Sequence, residues 1–143
     1  MAVEHRAHTR WEGDLQNGSG VFTLGSGAGG PQQVTWKARA EDASAGTSPE
    51  ELIAAALSSC FSMALSGALA RAGTPPTSLE TEVVSSFEGG VGITGLAVSV
   101  RGRVDGVDEE TFRNAAEQAK QNCPVSKALQ GNVEITLDAA LES

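Results

Sequence analysis

Basic residues are scarce and scattered. The 143-residue chain has ten Lys plus Arg against eighteen Asp plus Glu, a net charge of -8. No run of Lys or Arg offsets that deficit, so a phosphate backbone would be repelled and nucleic-acid binding is not expected. The opening residues, MAVEHRAHTRWEG, contain no apolar h-region and no lipidation pattern. A secretory signal is therefore not expected, and the cytoplasm is the expected compartment. Cysteine is nearly absent, with only Cys60 and Cys123. Two thiols far apart, with His5 and His8 near the start, make no zinc pattern. In a reducing compartment a structural disulfide is also not expected.

What is present is enough apolar residue, 40% of the chain, to bury one core, so a single domain over 1–143 is expected. From Leu52 to Ala70 no residue is charged, a length that could span a bilayer. Four serines interrupt the run, Glu50 and Glu51 flank one end, and only Arg71 marks the other. A helix buried in a protein core fits that pattern better than a membrane span.

The rest of the chain reads as α+β in the order βββ-α-ββ-α-β. Residues 7–12 and 19–24 flank Asn17-Gly18, a hairpin signal. GSGAGGP at 25–31 is a loop. QVTWKARA at 33–40 alternates and predicts a third strand, with Arg39 aimed away from the face carrying Trp36. Ser48, Pro49 and Glu51 predict a capped helix start, while Gly73 and Pro75-Pro76 predict its end near Arg71. Residues 79–88 and 93–104 alternate about a GGVG turn, with Leu96, Val98 and Val100 sharing one face. Asp108 opens a second helix with acidic residues in its first turn. Cys123-Pro124 breaks it, PVSKALQ adds a turn or two, and VEITLDAAL closes the chain as a strand.

Each cysteine reads in two ways. Cys60 lies about three turns into its helix, too far from the N-terminus for the macrodipole to acidify it. It is either a small buried hydrophobe or a nucleophile activated from elsewhere. Cys123 either marks a break or occupies an N-cap, where a thiolate would meet free backbone N–H groups. Arg39, just before the helix, is a candidate source of positive charge, and Glu50 a candidate carboxylate to hold it. The plain alternatives are a surface cation and a first-turn acid.

SPEELIAAALSSCFSMAL (48–65) together with AKQNCPVSKAL (119–129) resembles the OsmC/Ohr family, the osmotically inducible and organic-hydroperoxide-resistance proteins. The resemblance runs from RWEGDLQNGSG (10–20) to EITLDAALES (134–143) and is nearer the OsmC branch. It implies an intertwined homodimer with central helices wrapped by antiparallel sheets, and a thiol-dependent peroxidase acting on organic hydroperoxides. Motif by motif, it implies a peroxidatic Cys60, a resolving Cys123 and a disulfide between them. It also implies an Arg39 that stabilises the thiolate, with Lys37 as its competitor, and a Glu50 that orients Arg39. A dithiol, a lipoyl group among the candidates, would be the reductant, with no metal or other cofactor. The alternative is a non-catalytic dimeric stress or ligand-binding protein whose cysteines only pack.

Overall fold

The computed structural model describes residues 1–142. The chain divides into two compact units, Met1–Leu52 and Ile53–Ser143.

The first unit carries a three-stranded antiparallel sheet in the order β1 (Ala7–Glu12), β2 (Ser19–Leu24), β3 (Gln32–Val34). Asp14 shapes the β1–β2 turn by accepting from the Asn17 amide at 2.7 Å. After β3 the structure departs from the sequence reading. Residues 33–40 are not one strand: pairing stops at Val34, and Trp36–Ala40 form a short helix, α1. The cause is local. Thr35 is an N-cap whose hydroxyl accepts from the Ala38 amide at 3.2 Å, and Lys, Ala, Arg and Ala are all good helix formers. A single 3-10 turn follows at Ala43–Ala45, capped by Asp42. An isolated bridge between Val34 and Thr47 then closes the loop.

Helix α2 (Pro49–Arg71) starts where the sequence predicts. The Ser48 hydroxyl accepts from the Glu51 amide at 3.1 Å, and Pro49 supplies no orphan N–H. It also ends as predicted. The Thr74 amide donates to Leu69 O and the Gly73 amide to Ala70 O, the paired bonds of a Schellman cap, with Gly73 at φ 88.

In the second unit, β4 (Ser78–Glu88), β5 (Gly92–Arg103) and β6 (Ile135–Leu141) form a sheet in chain order. β4 and β5 are an antiparallel hairpin, but β5 and β6 run parallel. That one ladder differs from an all-antiparallel sheet because its connection is a crossover through α3 (Glu109–Asn122) and α4 (Pro124–Leu129). Asp108 caps α3 by accepting from the Thr111 amide at 2.8 Å.

The core of this unit lies between the sheet and the helices. Leu57, Phe61, Leu65 and Leu69 recur every four residues on α2 and meet Leu96, Val98 and Val100 of β5, with Phe112, Ala116 and Ala119 of α3. Gly102 belongs in β5 because Phe112 lies on it: a Cβ there would stand 2.6 Å from the ring. Three serines of α2, Ser58, Ser59 and Ser62, bond to the helix backbone. Ser59 donates to Ala55 O, and Ser62 Oγ lies 2.7 Å from both Ser58 O and Thr81 Oγ1.

By length and composition α2 could cross a membrane. Its Leu57–Leu69 stripe nevertheless packs into the core, as a core helix does. Ala55, Ala56, Ser59 and Met63 remain exposed, Met63 at 75%.

Candidate functional site

In the first unit, α1 and the first turn of α2 are brought together by the loop that the Val34–Thr47 bridge closes. Arg39 and Glu50 meet there side-on. Arg39 Nε donates to Glu50 Oε1 and Nη2 to Oε2, both at 2.9 Å. The paired bonds fix the plane of the guanidinium, which a single bond would not do. Glu50 is buried, with 6% of its side chain exposed against 35% for Arg39. Lys37, on the same helix, is exposed.

This geometry corrects the strand reading of Arg39. On a strand it would point away from Trp36. On α1 the two are three residues apart and share a face. Both line one cavity of about 420 Å³ with Trp11, Leu15, Val34 and Pro49. The sequence reading missed this cavity. Its one available signal was Thr35, a cap residue placed before a run of helix formers.

In the second unit the two cysteines are neighbours. Cys123 Sγ donates to Cys60 Sγ at 2.7 Å. A disulfide would be about 2.05 Å, and both thiols are free. Cys60 lies in mid-α2 and is partly buried, while Cys123 is fully buried. Pro124 sets the position of Cys123. The residue before a proline avoids helical ψ, and Cys123 sits at φ -58 and ψ 123, ending α3 and starting α4. The chain therefore turns at the sulfur, and the thiol points into the core.

Burial, the largest cause, and the hydrogen bond to Cys60 push the Cys123 thiol above its ordinary 9.0, while the Ser126 and Val125 amides pull it down. The N-cap amides are thus outweighed by desolvation. The folded state holds this proton more tightly than the unfolded chain does. The stability it contributes is complete below the unfolded value and drains away as pH rises through the folded one. Melting of the reduced protein followed from pH 7 to above pH 9 is expected to show a steeper alkaline loss of Tm in wild type than in Cys123→Ala. Equal slopes would mean that this proton is not linked to folding.

No group of three or more His, Cys, Asp or Glu that could hold a metal occurs among the described residues.

Two sites of chemical interest thus occur on an α+β scaffold, a dithiol pair and a clamped arginine beside an apolar cavity. Residues 40–138 match the family described as OsmC-like protein. The whole chain is 40% identical to all of the peroxiredoxin OsmC of Escherichia coli. It is 35% identical to an organic hydroperoxide resistance protein of Xanthomonas axonopodis pv. citri, over 66% of this chain and 68% of that one. The crystal structure of the organic hydroperoxide resistance protein OhrB of Bacillus subtilis superposes with a TM-score of 0.67 at 25% identity, covering 94% of this chain and 97% of that one. The chain belongs to the OsmC/Ohr family.

Proposed function

We propose that this protein is a thiol-dependent peroxidase that reduces organic hydroperoxides, and hydrogen peroxide more weakly, to alcohols. The observation that carries the reading is the pair of free sulfurs at 2.7 Å. The partly buried one sits beside a thiol that burial keeps protonated. Cys60 is the less buried of the two sulfurs and so the one a peroxide can reach, which suits it to attacking and the fully buried Cys123 to resolving. The names of the relatives, a peroxiredoxin and a hydroperoxide resistance protein, favour a peroxide as the electrophile.

The Cys60 thiolate attacks the terminal oxygen of ROOH. The S–O bond forms as the O–O bond breaks, and the leaving alkoxide takes a proton to become ROH. Cys60 is then a sulfenic acid. The Cys123 sulfur displaces its hydroxyl, which leaves as water, and the Cys60–Cys123 disulfide forms within one chain. A dithiol, such as a lipoyl group, donates two electrons and two protons to restore both thiols. The bond closes a loop of about sixty residues, a constraint of roughly 4 kcal/mol on the unfolded chain. Oxidation therefore does not loosen the fold. Arg39 stabilises the thiolate and the developing alkoxide, and Glu50 orients it. Their bidentate bond supports Arg39 over Lys37 as that cation. No step calls for a metal or an organic cofactor.

The whole chain acts as one OsmC-like domain and pairs with a second copy. The exposed small and apolar face of α2, with Met63 at its centre, supports such pairing. The cycle needs a reducing compartment, which the cytoplasm supplies.

The test is oxidation of the reduced protein by one equivalent of cumene hydroperoxide, read by mass spectrometry with non-reducing peptide mapping. The expected product has lost two hydrogens, both mapped to a Cys60–Cys123 bond. Two free thiols after that exposure would leave the cysteines as packing residues and overturn the reading.

A further inference from the structure

The two sulfurs differ in what surrounds them. Cys123 is fully buried in the core cluster, while Cys60, beside it on α2, is only partly buried. Thiol–disulfide exchange is a displacement at sulfur, and its rate depends on which sulfur is attacked and on access to it. The incoming, attacked and leaving sulfurs stand in line. An attack on Cys60 therefore arrives on the side away from Cys123. An attack on Cys123 would have to arrive on the side away from Cys60, through packed interior. Around Cys123 stand the end of α3 and the first turn of α4, whose Ser126 is itself 1% exposed. A second copy paired over α2 would add cover to Cys60 but could not uncover Cys123, so the order of access does not depend on pairing.

The same surroundings suit Cys123 to leave. A departing sulfur carries negative charge, and the Ser126 and Val125 amides already donate to this one. Burial then favours the neutral thiol, so the departed sulfur holds a proton and is slow to attack back. We infer that the reductant attacks Cys60 of the oxidised pair, not Cys123, and that Cys123 is the leaving group received by the Val125 and Ser126 amides. The inference rests on the peroxidase reading and deepens it, by giving the reductive half of the cycle its order. A thiolate of the dithiol bonds to Cys60 Sγ as the Cys60–Cys123 bond breaks. Cys123 leaves with the electron pair and takes one proton. The second sulfur of the dithiol, as a thiolate, then attacks the first, which closes the disulfide of the reductant and releases Cys60 as a thiolate. Cys60 thus meets both the peroxide and the reductant, and Cys123 meets neither.

The experiment traps the first of these steps. Diamide, which oxidises neighbouring thiols without peroxide, prepares the Cys60–Cys123 disulfide. The oxidised protein is mixed briefly with 2-mercaptoethanol, a monothiol that cannot complete the second step within one molecule. It is then quenched in acid, unfolded, alkylated with N-ethylmaleimide and mapped by mass spectrometry without reduction. At the earliest times the mercaptoethanol adduct is expected on the Cys60 peptide and the maleimide on the Cys123 peptide, exceeding the reverse pattern by about tenfold or more. Equal adducts on the two peptides, or the reverse pattern, overturn the inference. So does a disulfide that the thiol leaves intact while it reduces oxidised glutathione under the same conditions. Because no peroxide is used, each of these failures leaves the peroxidase reading in place. Conversely, the Cys60 adduct would still form in a protein that proved inert to cumene hydroperoxide.

Discussion

Cys60→Ser is expected to lower peroxide reduction by roughly a thousandfold or more while leaving the fold intact. A serine hydroxyl is far from ionised at neutral pH and, with no base beside it, is a poor nucleophile. The change is nearly isosteric, and the position is only partly buried at the edge of the Leu57–Phe61 core, so Tm should move by a few degrees at most. The same substitution should abolish the two-hydrogen loss on oxidation. Cys123→Ser should behave differently. One equivalent of peroxide is still reduced, because the attacking sulfur remains. Turnover then stops, and Cys60 gains one oxygen and, with excess peroxide, a second, since nothing intercepts the sulfenic acid. Stopped-flow consumption of cumene hydroperoxide with intact-mass readout separates the two variants. A Cys60→Ser protein that still turned over would assign the chemistry elsewhere, and a Cys123→Ser protein that kept cycling at the wild-type rate on a dithiol reductant would remove Cys123 from the mechanism.

The parts of this site differ in how legible they were, for reasons that lie in the residues. Helix α2 announced both ends, Ser48-Pro49 at one and Gly73 at the other, because its caps are local chemistry. The break at Cys123-Pro124 was equally legible, since a proline constrains the residue before it. That the two sulfurs meet was not derivable from periodicity; it came from the resemblance, and the packing of α2 against α3 brings them together. Helix α1 was misread because five residues are too few to tell a 3.6-residue period from a two-residue one. Trp36, Ala38 and Ala40 alternate in sequence, yet Thr35 caps a helix. The parallel β5–β6 ladder was invisible for another reason. Strand direction depends on the path of the crossover, and nothing in VEITLDAAL encodes it.

The misread helix bears on the second large effect, because it carries Arg39, the cation proposed for the thiolate. Arg39→Met is expected to cost about 2 kcal/mol of stability, a Tm loss of roughly 5–10 °C, and about a hundredfold in peroxidase activity. Removing one partner of a buried ion pair typically costs about 3–5 kcal/mol, because a buried charge is left alone. Glu50 is buried, but Arg39 is about one-third exposed, so water moderates the loss. The two effects have separate origins and can be uncoupled. In Arg39→Met/Glu50→Leu neither charge remains, and an apolar pair of similar volume is often as stable as the ion pair it replaces. Stability should therefore return in the double variant. Activity should not, since nothing polarises the peroxide. Arg39→Lys tests the geometry as distinct from the charge: a point charge cannot make the side-on pair of bonds to Glu50, so activity should fall between wild type and Arg39→Met. Thermal melts and kcat/KM for cumene hydroperoxide on the same four proteins decide the matter. If the double variant recovers activity along with stability, Arg39 only holds the first turn of α2 in place, and the cation that serves Cys60 must be sought elsewhere, with Lys37 the first to test.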